Sequence, residues 1–158
     1  MPSALTTPRL FQEEPLYAGA PSTSSDVAWE TLIPKGRGFV QVNISGRQGR
    51  YCVSAFHQLH CLDMLRHGYY AATNLGRRKH DYTSADTLRR SLHDDHVQHC
   101  FDYLRQALMC SADPTLELRN ASIGGVTGWG SMHQCRDFGA LQLWTESNRY
   151  SDEGGILN

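Results

Sequence analysis

Long apolar runs are missing from this 158-residue chain: no stretch approaches the ~20 consecutive apolar residues that a membrane-spanning helix requires. Positive charge is also scarce. The formal net charge is −1 and the densest basic run is Arg77-Arg78-Lys79, too little on one face for a nucleic-acid partner. The first 26 residues lack the basic start and apolar middle of a secretory signal. No CxxC precedes a histidine pair at zinc-finger spacing, which excludes a structural finger. With five cysteines in all, at least one stays unpaired however the others combine.

What is present suits one globular domain, with 40 % hydrophobic and 20 % charged residues. Residues 1–26, rich in Pro, Ser, Thr and Ala, read as an extended leader, a tether or an arm laid over the domain. Val40, Val42 and Ile44 alternate with polar residues, and "SGRQGR" supplies a turn, so a hairpin is expected over about 39–53. Three- and four-residue steps of Val53, Phe56, His57, His60, Met64 and His67, on a face widened by Leu59 and Leu62, predict a helix over 52–72, stopped at Asn74-Leu75-Gly76. A second helix is expected from Ser84, with Asp86 in its first turn, to about Met109 and before Pro114. Its stripe is Leu88, Leu92, His96, His99 and Tyr103, with a companion stripe of Val97, Phe101, Leu104 and Leu108. A glycine-rich loop (123–135), a short amphipathic helix (137–147) and a tail (151–158) complete the chain. The expected fold is mainly α with a small β-hairpin, two packed His-bearing helices and a disulfide staple.

One phrase occurs twice. "HQLHC" (57–61) and "HVQHC" (96–100) use four of the eight histidines and two of the five cysteines. Residues three apart on a helix are neighbours, so His57/His60 and His96/His99 each present two imidazoles on one side. Both pairs fall in stripes where leucines would be expected, and an unpaired polar ring in a core is costly. A metal would supply the missing partner, and imidazole without carboxylate points to copper or zinc rather than magnesium or calcium. The chance reading, two solvated HxxH pairs, is weakened by the identical trailing cysteine.

Cys61 lies about 40° around the axis from His57, at the edge of the histidine face. A Cys61–Cys100 cross-link between the helices is the preferred reading, with thiolate ligation or a buried thiol as alternatives. Cys110 and Cys135 form the second expected pair, leaving Cys52 over. His133, in "HQC", is a candidate further ligand or acid/base group, equally consistent with a surface ring. His93 continues the row of His96 and His99, while His67 and His80 read as structural or exposed. Asp95 and Asp102 flank the second motif and are candidates to orient its imidazoles, solvated helix acids being the default. Tyr69, Tyr70, Tyr103 and Trp129 are candidate pocket-lining aromatics, with core packing the blander role. The sequons at Asn43 and Asn120 are candidate glycosylation sites, which would require a secretory-route lumen.

These residues also carry a resemblance. "YCVSAFHQLHCLDMLR", "HVQHCFDYLRQALMCSADPTLE" and "GWGSMHQCRD", with the intervening "AWETLIPKGRGFV", resemble the signature blocks of the UstYa-like proteins of fungal natural-product pathways over roughly residues 26–147. The resemblance implies a catalytic domain over 27–150 that is copper- and O₂-dependent. Its activity would be oxidative cyclisation or C–H functionalisation of a peptide or small-molecule intermediate. It implies His57, His60, His96 and His99 as copper ligands and carries Cys61, Cys100, Cys110 and Cys135 across, while Cys52 stands where an aliphatic residue is usual. Many relatives have an N-terminal membrane helix and this sequence has no such run; the expected location is the secretory lumen or outside the cell. A homo- or hetero-oligomer with another family member is a further expectation. Two rival functions remain: a redox-neutral cyclase using histidines as acid/base groups, and a non-catalytic metal-binding partner subunit.

Overall fold

The computed structural model describes residues 8–77, 84–149 and 151–152, with side chains of 74–94 outside the description. His80 and the side chains of Leu88, Leu92 and His93 therefore lie outside the described residues. The described elements run α1 (Pro15–Ala18), α2 (Thr23–Thr31), β1 (Phe39–Ile44), β2 (Arg47–Val53), α3 (Ser54–Arg77), α4 (Ser84–Ser111), β3 (Leu116–Leu118) and α5 (Phe138–Ser147).

The expected hairpin forms. β1 and β2 pair antiparallel from Phe39↔Cys52 to Ile44↔Arg47, closed by Ser45 and Gly46. Both turn residues have positive φ (52° and 82°), the mirror-image turn that matches strand twist. A third strand was not anticipated: β3 pairs antiparallel with β2, giving the order β1-β2-β3. The fold is therefore mixed, with five described helices and a small sheet, rather than helical with a bare hairpin.

The leader is not extended throughout. From Pro15 onward it folds into α1 and the start of α2, where Ser22 forms a capping box with Ser25. Glu14 donates its backbone N–H to Asp102 (2.7 Å), and Gln12 and Gln106 exchange hydrogen bonds (3.2 and 2.8 Å), so this segment lies across α4. Ala18 is itself buried. Proline and serine, read as extension signals, act here as a helix start and a cap.

The core is a cluster of Trp29, Leu62, Tyr70 and Phe101, bordered by Tyr17, Leu32, Tyr69, Val97 and Leu108. Its aromatic rings meet edge to face, as Tyr17 does with Trp29 and Tyr69 with Tyr70 and Phe101. Two guanidinium groups are buried beside it. Arg66 is fully buried, stacks over Trp29 and bonds Asp63, Asp26 and the carbonyl of Gly19. Arg105 stacks over Tyr17 and bonds Asp102 twice. Asp102 is thus a structural ion-pair partner and not an orienter of the second motif's histidines. Asp95 is exposed.

These polar insertions shift the phase of both helices. The buried line on α3 is Leu59, Leu62, Arg66 and Tyr70, whereas Met64 is exposed. On α4 the companion stripe turns inward at Val97, Phe101 and Leu108, and Tyr103 faces solvent. Asn74-Leu75-Gly76 does not stop α3, which continues to Arg77. α5 is capped by Asp137 at the N–H of Ala140 and buries none of its residues; Trp129, in the loop before it, is also exposed. The described helices include none long and apolar enough to cross a membrane.

Removing the Arg66 guanidinium leaves Asp26 and Asp63 facing each other with only the His67 imidazole, 3.5 and 3.8 Å away, between them and solvent. Arg66→Met should destabilise the chain by about 3 kcal/mol, at the low end for a broken buried pair because both carboxylates keep some solvent. Urea unfolding should show a correspondingly lower midpoint.

Candidate functional site

β2 runs directly into α3, and the segment after α4 returns to cover that junction. The first N–H groups of α3 find backbone acceptors there: Ser54 donates to Thr115 O (2.9 Å) and Ala55 to Asp113 O (3.0 Å). β3 then lies against β2 with Glu117 opposite Cys52. In the Leu-Glu-Leu of β3 the leucine at 118 is 64 % exposed and the glutamate is 3 % exposed. That inverts the usual strand arrangement, in which the apolar residue points inward.

Glu117 occupies this position to hold two groups. Its Oε1 accepts from the buried Ser54 hydroxyl (2.6 Å), and its Oε2 lies 2.6 Å from His57 Nδ1. Ser54 and His57 are three residues apart, hence on one face of the first turn. A carboxylate only accepts, so the shared proton sits on Nδ1, and in the neutral ring Nε2 is then the lone-pair nitrogen. Gly128, at φ 79°, carries the following loop past the ring; a Cβ there would stand 3.7 Å from His57 Cε1.

A second pair repeats the arrangement. His133 Nδ1 lies 2.7 Å from Asp113 Oδ2, which also accepts from Gln58 Nε2 (3.3 Å), while Asp113 Oδ1 accepts from the N–H of Thr115 (2.9 Å). Burial raises the Asp113 carboxyl, but the Thr115 N–H and hydroxyl and then His133 outweigh it and hold it net below the ordinary value of 3.8. His133 is therefore an anchored ring, not a free surface imidazole.

The other motif histidines are placed differently from expectation. His60, His96 and His99 are exposed, and only His57 is partly buried. His96 and His99 stand with ring centroids 6.3 Å apart, and His99 stacks on Tyr103. Among the described residues no three His, Cys, Asp or Glu side chains come close enough to hold a metal ion. The disulfide staple is also corrected: all five cysteines are free thiols, with Cys61, Cys110 and Cys135 exposed, Cys100 half-buried and Cys52 buried. The helices are joined by the aromatic core instead. Asn43 and Asn120 are both exposed, with Asn120 Oδ1 accepting from the N–H of Ser122.

Glu117 and Asp113 are the site residues that motif reading missed. Their only sequence signal is a pair of acids four residues apart just after the second motif.

Two histidines fixed by carboxylates at a helix head, with His60 further along α3 and the His96/His99 pair on α4, define a histidine-rich region suited to metal ligation or proton transfer. The chain belongs to the UstYa family, matching "Mycotoxin biosynthesis protein UstYa" over residues 3–148. It is 40 % identical over 155 residues to the UstYa family oxidase phomYb of Diaporthe leptostromiformis, covering 89 % of this chain and 57 % of that protein. To the oxidase ustYa of Aspergillus flavus it is 42 % identical over 147 residues, covering 83 % and 62 %. To the hydroxylase cctR of Talaromyces islandicus it is 32 % identical over 112 residues, covering 67 % and 37 %. The chain thus spans less than two thirds of the length of each. No solved structure matches it.

Because the folded Asp113 carboxyl titrates below its unfolded value, its contribution to stability is complete above about pH 4 and disappears as pH falls through the folded value. Asp113→Asn should cost about 1–2 kcal/mol at pH 7, and its deficit relative to the parent should shrink towards pH 2. Urea titrations at the two pH values check this.

Proposed function

We propose that the chain is an oxidoreductase of fungal secondary-metabolite biosynthesis. It would use copper and O₂ for oxidative cyclisation or C–H functionalisation of a peptide or small natural-product intermediate. The relatives named oxidases and a hydroxylase support the reaction class. The observation that carries the site is His57, whose Nδ1 is taken by Glu117 so that Nε2 remains a donor.

The donor chemistry fits copper, since neutral imidazole binds both of its common oxidation states. His57, His60, His96 and His99 would hold it, as two pairs, one per helix. Bound copper would supply one-electron redox chemistry with O₂. The chain's own residues do the rest. Glu117 keeps a proton on His57 Nδ1, and Asp113 does the same for His133. Tyr103 restrains the His99 ring by stacking on it, and the exposure of His60, His96 and His99 leaves them reachable from solvent.

A redox-neutral cyclase is the second reading. The His133–Asp113 pair favours it, being a ready acid–base unit.

A gene-deletion strain, by the intermediate it accumulates, supplies the substrate. With that substrate, metal-stripped protein should regain turnover and O₂ consumption on adding copper, and not on adding zinc. His57→Ala, His60→Ala, His96→Ala and His99→Ala should each lower copper affinity and turnover at least about tenfold. Product formation without metal or O₂ uptake would assign the chain to the redox-neutral reading.

A further inference from the structure

Buried charge is treated in two ways in this protein. Where a carboxylate serves the fold, a guanidinium neutralises it, as Arg105 does for Asp102 and Arg66 for Asp63 and Asp26. Glu117 is as deeply buried as Asp102, yet among the described residues no Lys or Arg pairs with it. Its oxygens receive only a hydroxyl and an imidazole. A buried carboxylate without a fixed cation is costly unless hydrogen-bond donors satisfy it, and here the donors are the Ser54 hydroxyl and the ring N–H of His57.

Asp113, half-buried and four residues earlier, repeats the carboxylate–histidine contact. It too lacks a Lys or Arg partner among the described residues, and it holds Nδ1 of His133. Both acids are attached to the same turn of α3, Glu117 through Ser54 and Asp113 through the N–H of Ala55 and the amide of Gln58. The loop from Gly128, beside His57, to His133, on Asp113, connects the two rings.

We propose that Glu117 and Asp113 are paired positioning residues that lock His57 and His133 in the Nδ1–H tautomer, so that His133 joins His57 in presenting a lone-pair Nε2 at the head of α3. The first-turn network is the reason for the inverted Leu-Glu-Leu pattern of β3. A solvent-facing Glu117 would leave the Ser54 hydroxyl buried and unpaired and the His57 ring free to rotate. The proposal rests on His57 and His133 being working imidazoles, as in the function proposed above, but the tautomer it specifies is a property of the metal-free chain.

Long-range ¹⁵N–¹H NMR of the full metal-free chain, above the pH at which the rings are protonated, reads which nitrogen carries the proton. His57 and His133 should both show a protonated Nδ1 and a lone-pair Nε2, unlike exposed His60. Glu117→Gln should mix or reverse the tautomers of His57 alone, and Asp113→Asn those of His133 alone. Copper titration should then show a loss of affinity of about 10–100-fold for Glu117→Gln. Asp113→Asn, which leaves the four proposed ligands untouched, should change the His133 tautomer without lowering copper affinity, a separation that a general loosening of the fold would not produce. Should Glu117→Gln fail to fold, Glu117→Asp, which keeps the charge and shortens its reach, gives the same reading at His57. Protonated Nε2 on either ring of the parent chain, or tautomers indifferent to both substitutions, would overturn the proposal. Correct tautomers in a chain that binds no copper would uphold it and remove the copper reading instead.

Discussion

The short antiparallel contact of β3 with β2 is the constraint on which the site depends. It is only three residues long, yet it sets Glu117 opposite Cys52 and directly above the first turn of α3. From that register follow the Ser54 hydrogen bond, the His57 tautomer and the path of the 113–115 backbone that caps the helix. Shifting β3 by one residue would turn Leu116 or Leu118 inward and Glu117 out, because side chains alternate across a strand. Ser54 and His57 would then lose their carboxylate partner together. Strand register and histidine chemistry are coupled through one side chain.

The same economy explains why the helices bury polar residues. Arg66 and Arg105 each combine an aromatic stack with carboxylate bonds, tying the N-terminal segment to α3 and α4. Guanidinium suits this role because it is planar, weakly hydrated and able to bond several acceptors at once. A small aromatic core is thereby extended sideways by ion pairs that reach Glu14 and Asp26. The leader's packing depends on those pairs as much as on Ala18 and Tyr17.

Much of the fold was legible, and the failures have physical causes. The β1–β2 hairpin and the two long helices follow from alternation and from three- and four-residue periodicity, which local sequence encodes directly. Family membership was carried by the doubled motif. β3 was invisible because three residues cannot show a period and because its inward residue is a glutamate. The helix faces were mis-phased because hydrophobic periodicity assumes apolar residues inside, whereas α3 buries Arg66 and α4 buries Asp102 and Arg105. With those positions read as outside, the histidine rows rotated into an imagined core. Glu117 and Asp113 were missed for a different reason: their role appears only when a strand distant in sequence is laid against α3.

The field of Glu117 also acts on the thiols at this end of α3, where the proposed ligands are imidazoles. Partial burial pushes the Cys61 thiol up, although it reaches the surface, and Glu117 adds to the shift; burial and Glu117 do the same to Cys52. Thiolate is the form that ligates metals and attacks disulfides, so both reactions are disfavoured where Glu117's charge is felt. At His57 the same carboxylate acts instead through a 2.6 Å hydrogen bond at Nδ1 that fixes the ring. One buried carboxylate therefore discriminates between the two residue types that the HxxHC motif offers. The thiol of the cysteine that looked from its spacing like a staple or a ligand is pushed up, while the histidine four residues before it is anchored by the same carboxylate.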